Sequence, residues 1–250
     1  MTIAADPRLR ARKVAVAREA GHRRLVALSA GLTAVALLVT ALVLLHSSLL
    51  SAKVVHLRGA VHESRAEVLA VTGLSAHPPL ADLSTGAAAA ALERLPWVAS
   101  ARVVDDWPTG VTVAITERRP VAYVPLVGGQ ATLLDVNGRV LATGVPRPAG
   151  LVALSVVGGV GPPGSTDAAD LPALQVAADL PPSLAARVAS VAHGPDGVQL
   201  QLVKGPVVVL GDATGLTAKL TALSTLLAKV PLHAIVTIDL RVPAQPVLTR

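Results

Sequence analysis

The sequence predicts an α+β protein with one N-terminal transmembrane helix, a small β-α-α-β-β domain, and then a mainly antiparallel β domain that contains a late helix. Three observations predict this architecture. A long uncharged apolar run lies near the N-terminus, capping signals and alternating strands share residues 52–120, and short apolar runs separated by Gly, Pro and Asp fill residues 121–250. A chain of 250 residues is long enough for a membrane anchor and two small domains.

The transmembrane helix is predicted at residues 25–45, a run of 21 positions without charge or Pro. A helix of this length spans roughly 30 Å, which is the thickness of the hydrocarbon core. Its eight Leu and four Val contribute roughly −4 to −7 kcal/mol towards insertion. The alternative is a cleaved signal peptide, but its apolar region is shorter, and Leu50 stands where its cleavage site needs a small residue. An uncleaved anchor is therefore favoured.

Basic residues are concentrated before this span. Residues 1–24 hold seven Arg or Lys against two acidic residues, whereas the remaining chain holds fifteen against fourteen. The positive-inside tendency therefore predicts a cytoplasmic basic tail at residues 1–24 and an extracytoplasmic C-terminal region. Beside a span, contact with anionic headgroups explains such a tail better than binding to nucleic acid. The chain has no Cys, which excludes disulfides and thiolate metal sites.

The small domain is predicted from local signals. Ser64 stands three residues before Glu67, which is a capping-box pattern, and Pro96 ends an Ala-rich helix. Val111, Val113 and Ile115 alternate with small or polar residues, as in a half-buried strand. The predicted elements are a strand at 54–57, a helix from 64 to 72, a helix at 86–95, and antiparallel strands at 99–104 and 111–115. These elements predict a three-stranded sheet with two helices packed on one face.

The second region is predicted to be mainly β. Its strands are expected near 121–125, 131–135, 139–142, 151–156, 189–193, 198–203 and 206–210, and a last one at 234–240. The region 158–167 is rich in Gly and Pro and is expected to be a loop. One helix is predicted there, because Leu216, Leu220, Leu223 and Leu227 form a single stripe. After residue 240 the chain is expected to form a Pro-punctuated tail.

The sequence shows no catalytic or metal-binding pattern. His62-Glu63 could open a zinc-protease helix, but Ala66 stands where the second His ligand belongs. The glycines at 158–161 lack the Lys-Ser/Thr ending of a phosphate loop. No Ser lies in a G-x-S-x-G turn, and the S-x-x-K pattern is absent. We therefore expect no enzyme activity, no metal, no cofactor and no small-molecule substrate.

Three other groups have a functional and a structural interpretation. Asp105 and Asp106 could form a carboxylate pair, but adjacent strand residues point to opposite faces, and a solvated turn is favoured. Glu117-Arg118-Arg119 is interpreted as an exposed strand end at the domain junction. Trp97 and Trp107 could form a ligand platform, yet in a chain with no Phe and one Tyr packing anchors are favoured.

With this order of elements, the chain resembles the FtsQ/DivIB family of bacterial cell-division proteins over nearly its whole length. That family has a short cytoplasmic tail, one span, a POTRA domain and a β domain. The residues that carry the resemblance are Val54-Val55-His56-Leu57-Arg58-Gly59, Leu95-Pro96-Trp97-Val98 with Ala101, Trp107-Pro108, the strand Val111–Ile115, Glu117-Arg118-Arg119-Pro120-Val121-Ala122, Leu134-Asp135-x-x-Gly138, Gly211, Lys219 and Ile238-Asp239-Leu240-Arg241.

The resemblance implies a bitopic scaffold concentrated at the division septum, which links early and late division proteins and helps control septal peptidoglycan synthesis. The implied partners are FtsL- and FtsB/DivIC-type membrane proteins, with FtsW and FtsI as further candidates. A partner segment can add to an exposed terminal strand. The residues expected to bind it are Ile235, Val236, Thr237, Ile238, Asp239, Leu240, Arg241 and Val242. The family's aromatic residues near that site have no counterpart, since no aromatic residue follows Tyr123, and Val242 and Leu248 are expected to supply the apolar contact.

Two other classes of function are less well matched. A POTRA-bearing component of a translocation or secretion assembly generally accompanies a membrane β-barrel, which needs many alternating segments of about ten residues. The strands predicted after Val121 are too short and too few. A membrane-anchored cell-wall hydrolase needs a nucleophile, paired acids or a metal set, and the sequence offers none of these.

Overall fold

The computed structural model describes residues 26, 28–230 and 235–249, and its first element is a long apolar helix. This helix, α1, covers Leu28–Leu45 and is exposed along its length. Among the described residues it is the one helix long and apolar enough to cross a membrane. The predicted cytoplasmic tail at residues 1–24 and the start of the predicted span lie outside the described residues. A 3₁₀ turn, Ser48–Leu50, leads from α1 into the first domain.

The first domain is a three-stranded sheet with two helices, as the sequence predicts. Its elements are β1 (Val54–Arg58), α2 (Arg65–Thr72), α3 (Thr85–Leu92), β2 (Val98–Asp106) and β3 (Gly110–Glu117). Short 3₁₀ turns at Leu74–Ala76 and Leu80–Asp82 connect the helices. The sheet order is β1-β3-β2, so β3 is central; β1 pairs with it in parallel and β2 in antiparallel. The predicted β-α-α-β-β order is confirmed.

Local side-chain chemistry sets the helix ends in this domain. The Ser64 hydroxyl accepts a hydrogen bond from the Glu67 amide at 3.1 Å, which confirms the predicted N-cap of α2. Gly73 ends α2 at a φ of +73°, a conformation that glycine adopts without strain. The buried faces of both helices meet the sheet in one core, which includes Val68, Leu92 and Val113. The two helices and the sheet therefore share a single hydrophobic core.

The second domain is built on one nine-stranded sheet. Its strands are β4 (Pro120–Pro125), β5 (Gln130–Asp135), β6 (Val140–Pro146), β7 (Val152–Ser155), β8 (Val188–Gly194), β9 (Gly197–Leu202), β10 (Val207–Gly211), β11 (Thr237–Asp239) and β12 (Val247–Thr249). A 3₁₀ turn, Val127–Gly129, joins β4 to β5. The order is β12-β11-β10-β9-β8-β7-β4-β5-β6. Most neighbours are antiparallel, while β4 with β7, β7 with β8 and β10 with β11 are parallel.

Within the described residues of this domain, three helices accompany the sheet, and the sequence predicts only the last. They are α4 (Leu171–Asp179), α5 (Pro182–Ala185) and α6 (Leu216–Lys229). The four leucines of the predicted stripe on α6 are buried in the core, which confirms that helix. The expectation of a single helix in this region is wrong. In α4 the buried residues 173–174 and 176–177 do have helical spacing, but they cover little more than one turn, which is too short for the pattern to stand out in the sequence.

A network of hydrogen bonds joins the two domains around Arg118. Its backbone amide donates to the Trp97 carbonyl at 2.7 Å, and its Nε donates to the Val98 carbonyl at 3.0 Å. The Arg118 Nη1 pairs with Asp135 Oδ2 at 2.8 Å, and the side chains are 17% and 4% exposed. The interpretation of Glu117-Arg118-Arg119 as an exposed strand end is therefore wrong for Arg118 and Glu117, and only Arg119 is exposed.

The turn that carries Asp135 also contacts the first domain. Asp135 Oδ1 accepts from the amides of Asn137 at 2.9 Å and Arg139 at 2.8 Å, so one carboxylate shapes the turn and binds Arg118. The Arg139 Nη2 donates to the Arg94 carbonyl at 2.6 Å, across the junction. Burial, followed by the repulsion of nearby Arg118, lowers the pKa of Arg139. We call Arg118, Asp135 and Arg139 the junction triad.

Trp97 packs between the domains, as the packing interpretation predicts. It lies against a small cluster of the second domain that includes Tyr123 and Leu141. Its indole stacks on the His62 ring at 3.8 Å between centroids and an interplanar angle of 4°. His62 Nδ1 lies 2.6 Å from Glu117 Oε2. Burial alone would raise the pKa of Glu117, but hydrogen bonds from the His62 side chain and backbone outweigh it and lower that pKa.

Candidate partner-binding surface

The last two strands form one end of the large sheet. Strand β11 pairs in parallel with β10, through Val207↔Thr237 and Val208↔Ile238. On its other side β11 pairs in antiparallel with β12, through Ile238↔Leu248 and Asp239↔Val247. Among the described residues no strand pairs with the other side of β12. The free backbone edge of the sheet therefore belongs to β12.

This arrangement corrects the expectation that residues 235–241 form an exposed terminal strand. The segment that the sequence predicts to be a tail turns back after β11, where the Gln245 amide donates to the Val242 carbonyl at 3.0 Å. It then runs antiparallel to β11, and the Val236 amide donates to the Thr249 carbonyl at 2.9 Å. The prolines at 243 and 246 bracket the turn and leave Val247–Thr249 free to pair.

The predicted partner-binding residues divide into a buried and an exposed group. Ile238 and Leu240 are fully buried in the core beneath α6 and cannot touch a partner. Val236 is 63% exposed and Val242 57% exposed. Arg241 is exposed, while Ile235, Thr237 and Asp239 are half-buried. Side chains alternate between the two faces of β11, so Ile238 lies on the buried face, and Thr237 and Asp239 lie on the half-exposed face.

Arg241 is bound to its own strand rather than free at the surface. Its Nη2 lies 2.6 Å from Asp239 Oδ2, and its Nε donates to the same carboxylate. These bonds lower the pKa of Asp239. The aliphatic part of Arg241 covers Gly211, where an added Cβ would come within 2.9 Å of Arg241 Cγ. Glycine at 211, which also has a φ of +71°, is required by this close approach.

Lys219 fixes helix α6 to the end of β10. The side chain is buried, and its Nζ donates to the carbonyls of Leu210 and Asp212, both at 2.9 Å, and to Asp212 Oδ1 at 2.8 Å. The hydrogen bond from Lys219, with a second one from Thr214, lowers the pKa of the Asp212 carboxyl to about 2. All three donor positions of the ammonium are used, so its buried charge is compensated.

An apolar surface borders the free edge. Val236, Val242, Val247 and Leu248 are each at least 40% exposed and belong to β11, β12 and their flanks. Beside them, an open groove of about 560 Å³ runs between α6 and the turn before β12. Its apolar walls include Ala222, Leu226, Pro243 and Pro246. We call the four exposed residues the C-terminal apolar surface.

Sequence reasoning identified Val236, Val242 and Leu248 but missed Val247 and the groove. The only signal for β12 is the short apolar run after Pro246, and three residues are too few for a periodicity. The groove depends on how α6 lies against a turn more than 15 residues away in sequence, and no local pattern specifies that.

The remaining polar groups are engaged in structural contacts. Asp105 accepts from Trp107 Nε1 at 3.0 Å, and Asp106 accepts from the Thr112 hydroxyl, so the adjacent carboxylates have separate partners. Trp107 is 48% exposed, which differs from the packing role expected for both tryptophans. Within the described part of the chain, no group of three His, Cys, Asp or Glu side chains could hold a metal ion.

Comparison with protein families matches both domains. The model of the POTRA domain, FtsQ-type, matches residues 50–118. The model of the cell division protein FtsQ/DivIB, C-terminal, matches residues 122–241. The boundary between the two matches coincides with Arg118 and Arg119, where the structure changes from one sheet to the other.

Curated relatives are similar to this chain over most of its length. "Cell division protein FtsQ" of Mycolicibacterium smegmatis is 32% identical over 201 residues, which are 80% of this chain and 59% of that protein. The Streptomyces collinus protein of the same name is 31% identical over 226 residues, 86% of this chain and 85% of that protein. The chain thus spans three fifths of the mycobacterial relative and most of the Streptomyces one.

A solved structure is also similar. It is the major extracytoplasmic domain of the trans isomer of the bacterial cell division protein DivIB from Geobacillus stearothermophilus. The two sequences are 23% identical, and the match covers 37% of this chain and 76% of that chain with a TM-score of 0.26. A TM-score this low does not establish a common overall fold, so the assignment depends on sequence.

The first domain, which the POTRA model matches, and the apolar helix before it define the class. This is a POTRA-domain protein with an N-terminal helix long and apolar enough to cross a membrane. The family match of the second domain and the sequence identity to the two FtsQ relatives assign the chain to one family within that class. The chain belongs to the FtsQ/DivIB family of bacterial cell-division proteins, which confirms the resemblance seen in the sequence.

Proposed function

We propose that this protein is a non-enzymatic, bitopic scaffold of the division machinery, which links early and late division proteins and helps control septal peptidoglycan synthesis. The observation that carries the proposal is the free edge of β12 beside the C-terminal apolar surface. Membership of a non-catalytic division family supports the assignment. The basic tail lies in the cytoplasm, residues beyond α1 lie outside the membrane, and the protein concentrates at the septum.

The physical mode of partner binding is strand addition at β12. A strand edge offers unpaired N–H and C=O groups, and an extended segment of a partner satisfies them by pairing. Val247 points to one face of the sheet and Leu248 to the other, on the same face as Ile238. An added strand with apolar residues therefore gains contacts on both faces, and burial of each exposed valine or leucine contributes about 1 kcal/mol or more.

The partners in this proposal are membrane proteins of the FtsL and FtsB/DivIC type, which connect the scaffold to FtsW and FtsI. The binding residues are the exposed members of the predicted set together with β12. Val236 and Val242 contact the partner, Asp239 and Arg241 hold the shape of the edge, and Ile238 and Leu240 support it from the core. The side chain of Val247 is added to the predicted set, because it borders the free edge.

Localisation in cells tests the scaffold role. A fluorescent fusion of the full chain is expected at mid-cell in dividing cells, and depletion is expected to give filaments that lack septa. A signal spread evenly around the membrane, together with normal division after depletion, would contradict the proposal.

Co-purification tests the binding surface. Val236→Asp places a charge on the C-terminal apolar surface and is expected to lower recovery of FtsL- and FtsB/DivIC-type partners at least about tenfold, which corresponds to about 1.4 kcal/mol. The matched control is Val127→Asp, at a position 97% exposed in the β4–β5 turn, and it is expected to leave recovery unchanged. Circular dichroism confirms that both variants are folded. Equal recovery with the two variants would refute this surface.

A further inference from the structure

The first domain begins directly at the end of the apolar helix, without a free linker. His46, the residue after α1, places its Nε2 at 3.2 Å from Asp82 Oδ1, in the turn that precedes α3. The Leu50 amide donates back to the Ser47 carbonyl at 3.2 Å, which shortens the connection. Ser51 then forms a β-bridge with Pro79 in the same turn, and Ala52 is fully buried. The helix end and the domain are thus in direct contact.

The tip of the β2–β3 hairpin lies on the other side of the same connection. The amides of Lys53 and Val54 both donate to the Thr109 carbonyl, at 3.0 and 3.1 Å. The Ala52 amide donates to the Pro78 carbonyl at 2.9 Å. The chain therefore leaves α1 between two walls, the 78–82 turn and the 107–109 hairpin tip, which together form the base of the domain. If α1 crosses the bilayer, this base lies at its surface.

Exposed apolar groups are concentrated at this base. Trp107 is 48% exposed, Leu49 64% and Val54 48%. The Trp107 Nε1 donates to Asp105 Oδ2 at 3.0 Å, so the indole is hydrogen-bonded at one end and open elsewhere. An amphipathic ring of this kind is enriched where a membrane protein meets the headgroup region. In a chain with only two tryptophans, the exposed one lies beside the exit from the membrane.

Charge at the base does not explain membrane contact. Lys53 is exposed and basic, while Asp82, Asp105 and Asp106 lie nearby and are engaged by His46, Trp107 and Thr112. An excess of carboxylates gives no net attraction to anionic lipids. The occupant that fits is the interface of the bilayer itself, which accepts indole and leucine side chains through partition rather than ion pairing.

We propose that the base of the first domain rests in the headgroup region of the bilayer, with Trp107 and Leu49 inserted. This contact fixes the tilt of the first domain on the membrane, and through the junction triad it sets the direction in which the second domain projects. The inference rests on the bitopic topology proposed above, and it goes beyond that topology by assigning the first domain a lipid surface.

Tryptophan fluorescence of the full chain in phosphatidylcholine vesicles tests this contact. Trp97→Phe leaves Trp107 as the single tryptophan, so tryptophan emission then reports on this residue alone. We expect a blue-shifted emission and at least about twofold quenching by lipids brominated near the headgroups, with weaker quenching by lipids brominated deep in the chains. The quenching is expected to be the same at about 0.05 and about 0.5 M NaCl, because charge does not drive the contact.

Two probes in a background without tryptophan serve as controls. Leu38→Trp, in α1, is expected to be quenched most by the deep bromines, and Val157→Trp, at a fully exposed position of the second domain, is expected to be unquenched. Trp107 emission that behaves like the Val157→Trp probe, while the Leu38→Trp probe is quenched, would overturn the inference and leave the topology intact. A Leu38→Trp probe that is also unquenched would overturn both.

The Trp97→Phe change removes the stack on His62 and could weaken the fold. A second comparison does not depend on it. In the otherwise unchanged chain, Trp107→Phe is expected to remove the fraction of emission that shallow bromines quench, and to leave the Trp97 emission unaffected. Quenching that is equal with and without Trp107 would contradict the contact.

Discussion

The domain junction and the C-terminal edge are both places where strands end, but they are built in opposite ways. At the junction, Arg118 and Asp135 are 17% and 4% exposed and are hydrogen-bonded to each other and to nearby backbone groups, while the buried Nε of Arg139 has no partner. At the edge, Asp239 and Arg241 form a similar pair that is 26% and 59% exposed, and apolar side chains face outward. The same kind of carboxylate–guanidinium pair is therefore buried at the junction and exposed to solvent at the edge.

This difference indicates what each region is for. A buried, hydrogen-bonded ion pair holds two domains in one arrangement, because leaving either charge unpaired is costly. An exposed pair contributes little to stability, and exposed valines gain free energy only when something covers them. The junction is thus suited to fixed geometry, whereas the edge leaves apolar side chains uncovered, as the proposed partner site requires.

The largest expected effect compares two positions two residues apart at the edge. Ile238→Asp buries an unpaired carboxylate in the core and is expected to destabilise the second domain by about 4 kcal/mol or more. Val236→Asp, at a position 63% exposed, is expected to change the free energy of unfolding by no more than about 0.5 kcal/mol. Urea unfolding measures both. Equal midpoints for the two variants would show that β11 is not seated as described.

The second prediction compares the two carboxylate–guanidinium pairs directly. Asp135→Asn keeps an oxygen for the Asn137 and Arg139 amides but removes the charge that faces Arg118, and we expect a loss of about 2–3 kcal/mol. Asp239→Asn makes the same change at the exposed pair, with an expected loss of less than about 1 kcal/mol. Thermal unfolding at pH 7 distinguishes them, and a larger loss for Asp239→Asn would reverse the comparison.

The third prediction concerns Lys219, which lies between the two extremes because a buried ammonium meets an exposed carboxylate. Lys219→Met leaves the carbonyls of Leu210 and Asp212 without a donor and is expected to cost about 1–3 kcal/mol. Lys219→Arg is the matched control that keeps the charge. A variant with a methionine that is as stable as the wild type would show that the ammonium is not needed there.

The same group predicts a pH dependence. The folded pKa of Asp212 is about 2, below its ordinary value of 3.8, so the ionised carboxylate favours the folded state. This contribution is complete above pH 3.8 and is lost as the pH falls towards about 2. In Asp212→Asn the contribution is absent at every pH, and we expect a shallower fall of stability over that window in acid titrations followed by circular dichroism. Parallel curves for the two proteins would contradict this linkage.

The smallest expected effect on stability comes from β12. Val247→Thr keeps the shape of an exposed side chain and is expected to change the free energy of unfolding by less than about 0.5 kcal/mol, while it lowers partner recovery. Thr249→Val, on the same face of the same strand, is the converse change and is expected to raise recovery. Opposite shifts in co-purification with unchanged unfolding midpoints support the edge as the binding site, and unchanged recovery in both would argue against it.

Elements that depend on neighbours in sequence were predictable. The N-cap at Ser64 and the leucine stripe of α6 act within one or two turns, and both are found where the sequence places them. Helix α4 was not, because Asp170 gives no side-chain cap and its buried face covers little more than one turn. Local sequence therefore predicts a helix only when both its capping residues and its buried apolar face give a clear pattern.

Features that depend on distant partners were not predictable. Glu117 and Arg118 read as a charged strand end, yet Glu117 binds amides 55 and 56 residues away, and Arg118 binds Asp135. The edge strand was assigned to residues 235–241 because nothing local shows that Val247–Thr249 will pair with them. For the proposed binding site, the sequence predicts residues 235–242, and the fold adds that Val247–Thr249 form the outermost strand beside them.

The parallel pairing of β1 with β3 has a mechanical consequence. In the scaffold proposed above, any tension between the membrane anchor and a bound partner would run through the first domain. That tension enters at the start of β1 and leaves through the end of β3, where Arg118 leads into β4. Because the two strands run in the same direction, the five residue pairs between Val54 and Arg58 are strained together, in shear, and not opened one after another. The first domain is therefore arranged to resist, in shear, a force applied between its two ends.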